Sequence, residues 1–428
     1  MTNSTMTIPQ KWKTTALKDI VNIVIDNRGR NPEYYVQQGI PVIDNVLIKG
    51  ERKIELDKTR RFIDENTYSS FIRKYNQEND VLITLVGNGY GNVALSPKAK
   101  SIIMQNTVGL RCNDLGDNIF LFYNLSLNKR SLTDLNIGAA QPSIKVGDLL
   151  DVELILPPLP EQRAIAVVLS SLDDKIELLR EQNKTLESTT QAIFKEWFVN
   201  FNFPDKDSKP HKANGGKMID SELSEIPERW RVGKLTEVFD FMEGPGIRNW
   251  QYTDAGRKFM NIRLIQNGDI DIKNANHISI EEAEGAYRHF HLQEKDMVVS
   301  TSGTLGRSAI VRKEHLPLML NTSVIRFRPI DGFSYGFMYQ FLNSPFFQNE
   351  LESMASGSVQ LNFGPTHLKQ IVMIIPPKNL LSKFSLAINP LYEKMIFILS
   401  QIEALSTFRD TLLPELMKGG IRVKGFKK

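Results

Sequence analysis

The sequence of 428 residues lacks several features that would assign it to a common class. It contains a single cysteine, Cys112, which excludes an internal disulfide and a four-cysteine zinc site and suits a reducing cytoplasm. No run approaches the roughly 18 apolar residues of a membrane span, and the polar N-terminus lacks the apolar core of a signal peptide. We therefore expect a cytoplasmic protein that does not enter a membrane.

A strong charge of either sign is also missing. The formal net charge is +4, and the hydrophobic content of 41% is ordinary for a protein that builds globular cores. A mildly basic chain of this kind permits binding to nucleic acid without requiring it. The length predicts two or three domains.

One long stretch has neither proline nor glycine: it begins after Pro160 and ends before Pro204. Its apolar residues recur at alternating steps of four and three, which is the seam of a coiled coil over about four heptads. At 1.5 Å per residue the predicted helix is roughly 55 Å long. The seam consists of Ile165, Leu169, Leu172, Ile176, Leu179, Asn183, Leu186, Thr190, Ile193 and Trp197.

A second seam follows at an offset of 219 positions, which also carries Pro157-Pro158 onto Pro376-Pro377. We predict that the two helices pair as one antiparallel coiled coil, with Pro414 bending or ending the second near its last turn. The domains then lie at opposite ends of the helix pair. The second seam consists of Leu391, Met395, Ile398, Ile402, Leu405, Arg409, Leu412 and Leu416.

Ordered matches elsewhere indicate a tandem duplication. Short predicted strands and turns fill both copies, so we predict an α+β fold: two duplicated α/β domains separated by the two long helices. The matched segments are Ile8-Pro9-x-x-Trp12 with Ile226-Pro227-x-x-Trp230, Asp80–Thr84 with Asp296–Ser300, Asn106-Thr107 with Asn321-Thr322, and Gly138–Gln141 with Gly357–Gln360. The predicted boundaries are 1–156 for the first domain, 157–200 for the central helix, 201–229 for a linker, 230–375 for the second domain, 376–418 for the distal helix and 419–428 for a basic tail.

The candidates for catalysis are all incomplete. Asn31-Pro-Glu-Tyr34 resembles the signature of amino-methyltransferases, but only thirty residues precede it, too few for a cofactor-binding unit. Gly303-x-x-Gly306-Arg-Ser lacks the lysine of a phosphate-binding loop. His289 and His291 have no carboxylate or cysteine at metal-ligand spacing. We predict no catalytic residue and no metal site in this chain.

Loops rich in arginine, lysine, asparagine and glutamine remain, and these side chains reach phosphates and base edges. Two copies of one module at fixed spacing suit a ligand with two sites at fixed spacing, of which duplex DNA is the commonest. A bivalent protein-binding scaffold with a coiled-coil spacer is the alternative, and the absent motifs nearly exclude a self-sufficient methyltransferase. For any single loop, an ordinary solvated surface is also an open interpretation.

The chain resembles the DNA specificity subunit of a type I restriction-modification system over nearly its whole length. The segments that carry the resemblance are Leu156-Pro-Pro-Leu-Pro-Glu-Gln-Arg163, Trp197-Phe198, Asp220–Trp230 and Leu412–Gly420. In the second half, Pro376-Pro-Lys-Asn replaces the fuller Pro-Glu-Gln sequence.

The resemblance implies two target-recognition domains, each reading half of a split double-stranded DNA site. It also implies two methyltransferase subunits docked on the helices, with restriction subunits joining them. S-adenosylmethionine, ATP and Mg²⁺ would serve those partners, and this chain would hold no cofactor. If the domains lie about one helical turn of DNA apart, roughly 34 Å, half-sites of about three to five base pairs leave an unread gap of about five to eight.

We assign the predicted contacts within this scheme. DNA contacts are expected from Arg28, Arg30, Asn31, Asn88, Tyr90 and Gln141 in the first domain, and from Arg248, Asn249, Thr301, Arg307 and Gln360 in the second. Docking of the methyltransferase is expected on exposed faces of the helix pair that begin with Glu161, Gln162 and Arg163.

Overall fold

The computed structural model of the protein describes residues 9–87, 89–136, 142–355 and 363–425. The chain divides into two compact units. Unit 1 combines the residues up to Leu178 with those from Glu403 onward, and unit 2 is Leu179–Ile402. Each unit therefore contains one globular domain and one part of each long helix.

In its described residues, unit 1 has nine short strands and five short α-helices before the first long helix. The strands are β1 (Lys13–Ala16), β2 (Val21–Ile25), β3 (Ile40–Ile43), β4 (Phe62–Ile63), β5 (Val81–Thr84), β6 (Val93–Leu95), β7 (Ile102–Ile103), β8 (Thr107–Cys112) and β9 (Glu153–Leu156). The helices are α1 (Leu17–Ile20), α2 (Glu65–Ser70), α3 (Asn118–Leu127), α4 (Lys129–Thr133) and α5 (Val146–Leu150). The first long helix, α6 (Leu159–Phe194), continues into a π-helical turn at Lys195–Val199.

Unit 2 is also built from short strands and short helices, with more strands than unit 1 in the described residues. They are β10 (Met218–Ile219), β11 (Ile226–Pro227), β12 (Arg231–Lys234), β13 (Phe239–Glu243), β14 (Tyr252–Thr253), β15 (Arg257–Phe259), β16 (Ile265–Gln266), β17 (Asp269–Ile270), β18 (Asn276–Ile278), β19 (Met297–Ser300), β20 (Ser308–Ile310), β21 (Leu318–Met319), β22 (Val324–Pro329) and β23 (Val372–Ile375). The helices are α7 (Ile280–Glu284), α8 (Tyr335–Leu342), α9 (Pro345–Ala355), α10 (Pro365–Leu368) and α11 (Lys378–Met417).

The central sheets of the two units confirm the duplication. Both have four strands, in the order β2-β8-β5-β6 in unit 1 and β13-β22-β19-β20 in unit 2, and every neighbouring pair is antiparallel. The strands at the second and third positions are short apolar runs whose buried side chains form the domain cores. A second small pairing, β1 with β9 and β12 with β23, joins the two ends of each domain.

A buried carboxylate marks the same position in both sheets. Asp80 accepts two hydrogen bonds from Arg111 at 2.8 and 2.7 Å, and Asp296 accepts two from Arg328 at 2.7 and 2.8 Å. Each carboxylate is almost fully buried and has lost its contact with water. The bidentate arginine replaces the hydrogen bonds of that water and supplies a counter-charge. The repetition of this pair shows that the two copies share a core as well as a topology.

The helices pair in antiparallel fashion within unit 1. Ile165 and Leu169 of α6 lie in the same hydrophobic core as Leu412 and Leu416 of α11. Asp173, farther along α6, bonds Arg409, which comes earlier in α11. Positions that advance along one helix therefore meet positions that retreat along the other, as the heptad pattern predicts.

The same direction holds within unit 2. The Phe198 and Phe384 rings meet with centroids 4.7 Å apart, and Thr190 is linked to Tyr392 through the Gln340 side chain, which donates to both hydroxyls at 2.9 and 2.6 Å. The polar seam residue Thr190 thus has a buried partner from the domain.

In unit 1, α11 continues one turn beyond Pro414 to Met417, so that proline does not end the helix where it stands.

Candidate functional site

Three loops meet at one end of the central sheet in unit 1, and we call this surface loop edge 1. Leu85 donates its backbone N–H to the carbonyl of Asn106 at 2.6 Å, and the Asn27 amide donates to the carbonyl of Ile103 at 3.1 Å. Asn106 has a left-handed φ of 63°, which turns the chain sharply into β8. The described loop residues are 26–31 after β2, 85–87 and 89–92 after β5, and 104–106 before β8.

Unit 2 builds the same surface, loop edge 2, from its own three loops. The Ile247 N–H donates to the side-chain oxygen of Asn321 at 3.1 Å, and the Thr301 N–H donates to the carbonyl of Ser323 at 3.0 Å. Because both outer loops bond the turn between them, the edge has a fixed shape. The loops are 244–249 after β13, 301–307 after β19 and 321–323 before β22.

The strand register revises one of the sequence matches. Thr84 pairs with Thr107 in unit 1, and Ser300 pairs with Val324 in unit 2. Thr107 begins β8 and Val324 begins β22, so the residues before these strands are Asn106 and Ser323. Ser323 also has a left-handed φ, of 65°. Asn106 therefore corresponds to Ser323, and the match of Asn106 with Asn321 was wrong by two positions.

Loop edge 1 holds its predicted polar residues in local contacts. Arg28 bonds both carboxylate oxygens of Asp26, at 2.9 and 2.7 Å, and this guanidinium is the main reason that the pKa of Asp26 lies below its usual range. Arg30 is exposed, with its guanidinium 5.8 Å from the centre of the Phe71 ring. Asn31 is also exposed and accepts a hydrogen bond from Gln105.

Tyr90 is half-buried and packs against the core of unit 1. Its ring therefore supports the turn, and only part of it reaches the surface. Asn88 and Gln141, the other predicted contacts of this domain, lie outside the described residues.

Loop edge 2 presents its predicted residues more openly. Arg248, Asn249 and Arg307 are exposed, and among the described residues no carboxylate bonds the Arg248 guanidinium. Thr301 is different because its side chain is fully buried, with an unpaired hydroxyl oxygen. The Thr301 hydroxyl is therefore not on the surface of loop edge 2, and its contact with DNA stays a prediction. Gln360 lies outside the described residues.

Two cations beside loop edge 1 were missed at the sequence level. Arg73 and Lys74 are exposed, and their backbone N–H groups both donate to the side-chain oxygen of buried Asn27, at 3.2 and 3.1 Å. Asn27 therefore ties a distant loop to the predicted one. The adjacent pair of cations was visible in the sequence, but its position beside loop 26–31 depends on a contact across 46 positions.

The expected docking residues at the start of α6 are mostly internal. Glu161 is 1% exposed and accepts hydrogen bonds from Trp12 and Arg422. Gln162 is 2% exposed, and its side chain bonds the backbone of Leu115, Asp117 and Pro157. The expectation that both are exposed was wrong, because their polar groups hold unit 1 together. Arg163 alone of the three is exposed.

The described part of the chain contains no group of three histidine, cysteine, aspartate or glutamate side chains that could hold a metal ion. In the same residues, no helix is both long and apolar enough to cross a membrane. The chemical groups that the loop edges offer are guanidinium, ammonium and amide donors, which suit phosphates and the acceptor atoms of bases.

Comparison with known proteins gives a consistent result. Residues 9–188 and 227–402 each match the family model of the type I restriction modification DNA specificity domain. The MjaIX specificity subunit of a type I restriction enzyme from Methanocaldococcus jannaschii is 26% identical over 428 residues, which cover 97% of this chain and 95% of that protein. The HindI specificity subunit from Haemophilus influenzae is 24% identical over 331 residues, covering 65% of this chain and 71% of that protein.

A solved structure has the same fold. The S subunit of a type I restriction-modification system from M. genitalium aligns over 97% of both chains with a TM-score of 0.58 and 16% sequence identity. At that identity the likeness extends to the fold alone.

Proposed function

Because this chain belongs to the family of type I restriction-modification DNA specificity domains, we propose that it reads a split, asymmetric DNA site, with one unit on each half-site. The proposal is supported by the recurrence of one loop edge in both units. Each edge lies on a four-stranded sheet of the same strand order, and in each the loop after the third strand bonds the turn before the second. A duplicated scaffold with different loop side chains suits two half-sites of different sequence.

The side chains divide into two roles. Arg248, Asn249 and Arg307 are exposed on a rigid edge, and such donors pair with guanine and adenine in the major groove. Arg30 on loop edge 1 and Arg73 beside it are exposed cations that suit phosphates or base edges, whereas the ammonium of neighbouring Lys74 already donates to the Val24 carbonyl at 2.6 Å. Arg28 is held by Asp26, so its main role is to keep loop 26–31 in shape.

The chain acts without a reaction of its own. Two methyltransferase subunits dock on the helix pair and restriction subunits join them, while S-adenosylmethionine, ATP and Mg²⁺ belong to those partners. Exposed Arg163 and the exposed apolar side chains Val167 and Leu178 of α6 suit such docking. Purified alone with S-adenosylmethionine, the chain should neither methylate nor cut DNA, and turnover by the isolated chain would contradict this assignment.

The proposal is tested on the assembled methyltransferase complex. Methylation mapping in the host identifies the site. Gel shifts on duplexes with one base pair changed at a time then give the binding free energy that each position contributes. Arg248→Ala should relax discrimination at one position of one half-site by about 1–3 kcal/mol if the arginine reads a base. If it contacts a phosphate, binding weakens for all sequences and the slope of affinity against salt falls by about one.

Arg231→Ala is the matched control, because Arg231 is an exposed cation of unit 2 that lies on β12, outside the three loops of loop edge 2, and pairs with Glu237. It should leave the half-site profile unchanged. A complex that binds all duplexes equally, or a chain that binds only protein partners with little dependence on salt, would favour the bivalent protein scaffold instead.

A further inference from the structure

Trp250 is the most exposed large apolar side chain in the described part of the protein, with 81% of its surface accessible. It occupies the middle of a single 3₁₀ turn, Asn249–Gln251, which begins at the last residue of loop 244–249. A tryptophan buries roughly 150–250 Å² when it is packed, so leaving one in water forgoes a large stabilisation. The exposure therefore points to a contact that forms with another molecule.

The turn that carries Trp250 is rigid. On one side, the Ile247 N–H is bonded by Asn321, and on the other the buried Gln251 side chain donates to Glu282 at 2.8 Å and to the Tyr287 hydroxyl at 3.1 Å. Gln251 also accepts the Arg248 N–H at 2.9 Å. The indole is held outward by a fixed backbone, which lowers the entropic cost of a later contact.

The neighbours of Trp250 indicate the class of that contact. Arg248 and Asn249, immediately before it, are both exposed, and among the described residues neither side chain is bonded by an acidic group. Arginine and asparagine are the side chains that pair with guanine and adenine through the major groove. An apolar ring beside them meets one apolar group on base edges in that groove, the 5-methyl group of thymine.

We propose that Trp250 packs on the 5-methyl group of a thymine in the half-site of unit 2 and so specifies an A·T pair there. This inference rests on the proposed function, since it requires that loop edge 2 faces DNA. It adds an apolar contact to the polar ones and predicts that the half-site contains at least one A·T pair.

The test uses synthetic duplexes of the mapped site in which each thymine in turn is replaced by deoxyuridine, which lacks only the methyl group. With the wild-type complex, one replacement in the unit 2 half-site should weaken binding about fourfold, because the complex then no longer buries one methyl group. In Trp250→Ala the same replacement should have no effect, whereas Trp250→Phe should retain most of it. Replacements in the other half-site should behave alike in all three proteins.

Three results would overturn the inference while leaving the proposed function intact: equal deoxyuridine effects in wild type and Trp250→Ala, uniformly weaker binding of all duplexes by Trp250→Ala, or a unit 2 half-site without an A·T pair. Failure of Trp250→Ala to assemble with the methyltransferase in the absence of DNA would instead assign the ring to a protein contact, and would also overturn it. Failure of the wild-type complex to discriminate any half-site would reject the proposed function itself.

Discussion

Arg409 of α11 donates a hydrogen bond from Nη1 to Oδ1 of Asp173 on α6, at 2.6 Å, within unit 1. The second oxygen of Asp173 accepts the hydroxyl of Tyr123 from α3. Burial is the main cause of the raised pKa of Tyr123, with the neighbouring Asp173 carboxylate adding to it. A single carboxylate therefore fixes the helix register and joins the helix pair to the domain.

Replacing Arg409 by Met should destabilise unit 1. The change leaves Asp173, whose side chain is only 11% exposed, without its cationic partner, and we expect a loss of about 2–3 kcal/mol, below the value for a fully buried pair because Arg409 is partly exposed. The measurement is amide hydrogen exchange of unit 1 peptides, which reports local unfolding free energy without requiring a two-state chain.

Asp410→Asn is the control for that variant, because Asp410 is an exposed second partner of Arg409. Its effect should lie within about 0.5 kcal/mol. If Arg409→Met and Asp410→Asn changed exchange equally, the Arg409–Asp173 pair would not stabilise unit 1 more than the exposed Arg409–Asp410 pair does.

Removing Arg422 should loosen the start of the first domain. Arg422 donates to Glu161 at 2.7 Å while Glu161 also accepts the Trp12 indole N–H at 3.1 Å, and both charged groups are buried. Arg422→Met leaves the Glu161 carboxylate without a counter-charge, so we expect a loss of about 3 kcal/mol in unit 1.

Lys424→Met removes an exposed cation two residues later and serves as the matched control. Hydrogen exchange around Trp12 and the beginning of α6 should accelerate in Arg422→Met only. Unchanged exchange in that variant would mean that the Arg422–Glu161 pair does not stabilise the start of the domain.

The thiol of Cys112 should resist alkylation in the folded protein. Burial is the main cause that raises its pKa to about 12, with the nearby Asp117 carboxylate adding to it. At pH 8 a free thiol is roughly one-quarter thiolate, whereas a pKa near 12 leaves on the order of one in ten thousand. Iodoacetamide labelling followed by mass spectrometry should therefore be slower by about a thousandfold than in denaturant. A folded-state rate within tenfold of the denatured one would contradict this environment.

The helices and the duplication could be predicted from the sequence because their signals are local and repeated. Leu169, Leu179 and Leu412 belong to seams with four-three spacing, and Asp80 recurs as Asp296. Both patterns can be recognised from the order of residues along the chain alone. Both features are found where they were predicted.

The fate of individual polar residues could not be predicted in the same way. Glu161 is buried because Arg422, 261 positions away, provides its counter-charge, and nothing near Glu161 in the sequence indicates that partner. Thr301 was expected at the surface because its loop is polar, but its backbone bond to Ser323 turns the side chain inward. Trp250 was passed over because the exposure of a single aromatic is a property of the fold.

The most direct measurement replaces residues 12–156 with the corresponding domain of a related specificity subunit and maps methylation by the assembled complex. We expect the half-site on one side of the unread gap to change to that of the donor, while the other half-site and the gap length stay as they are. A change in the other half-site instead, or in both, would contradict the reading of one half-site by each domain.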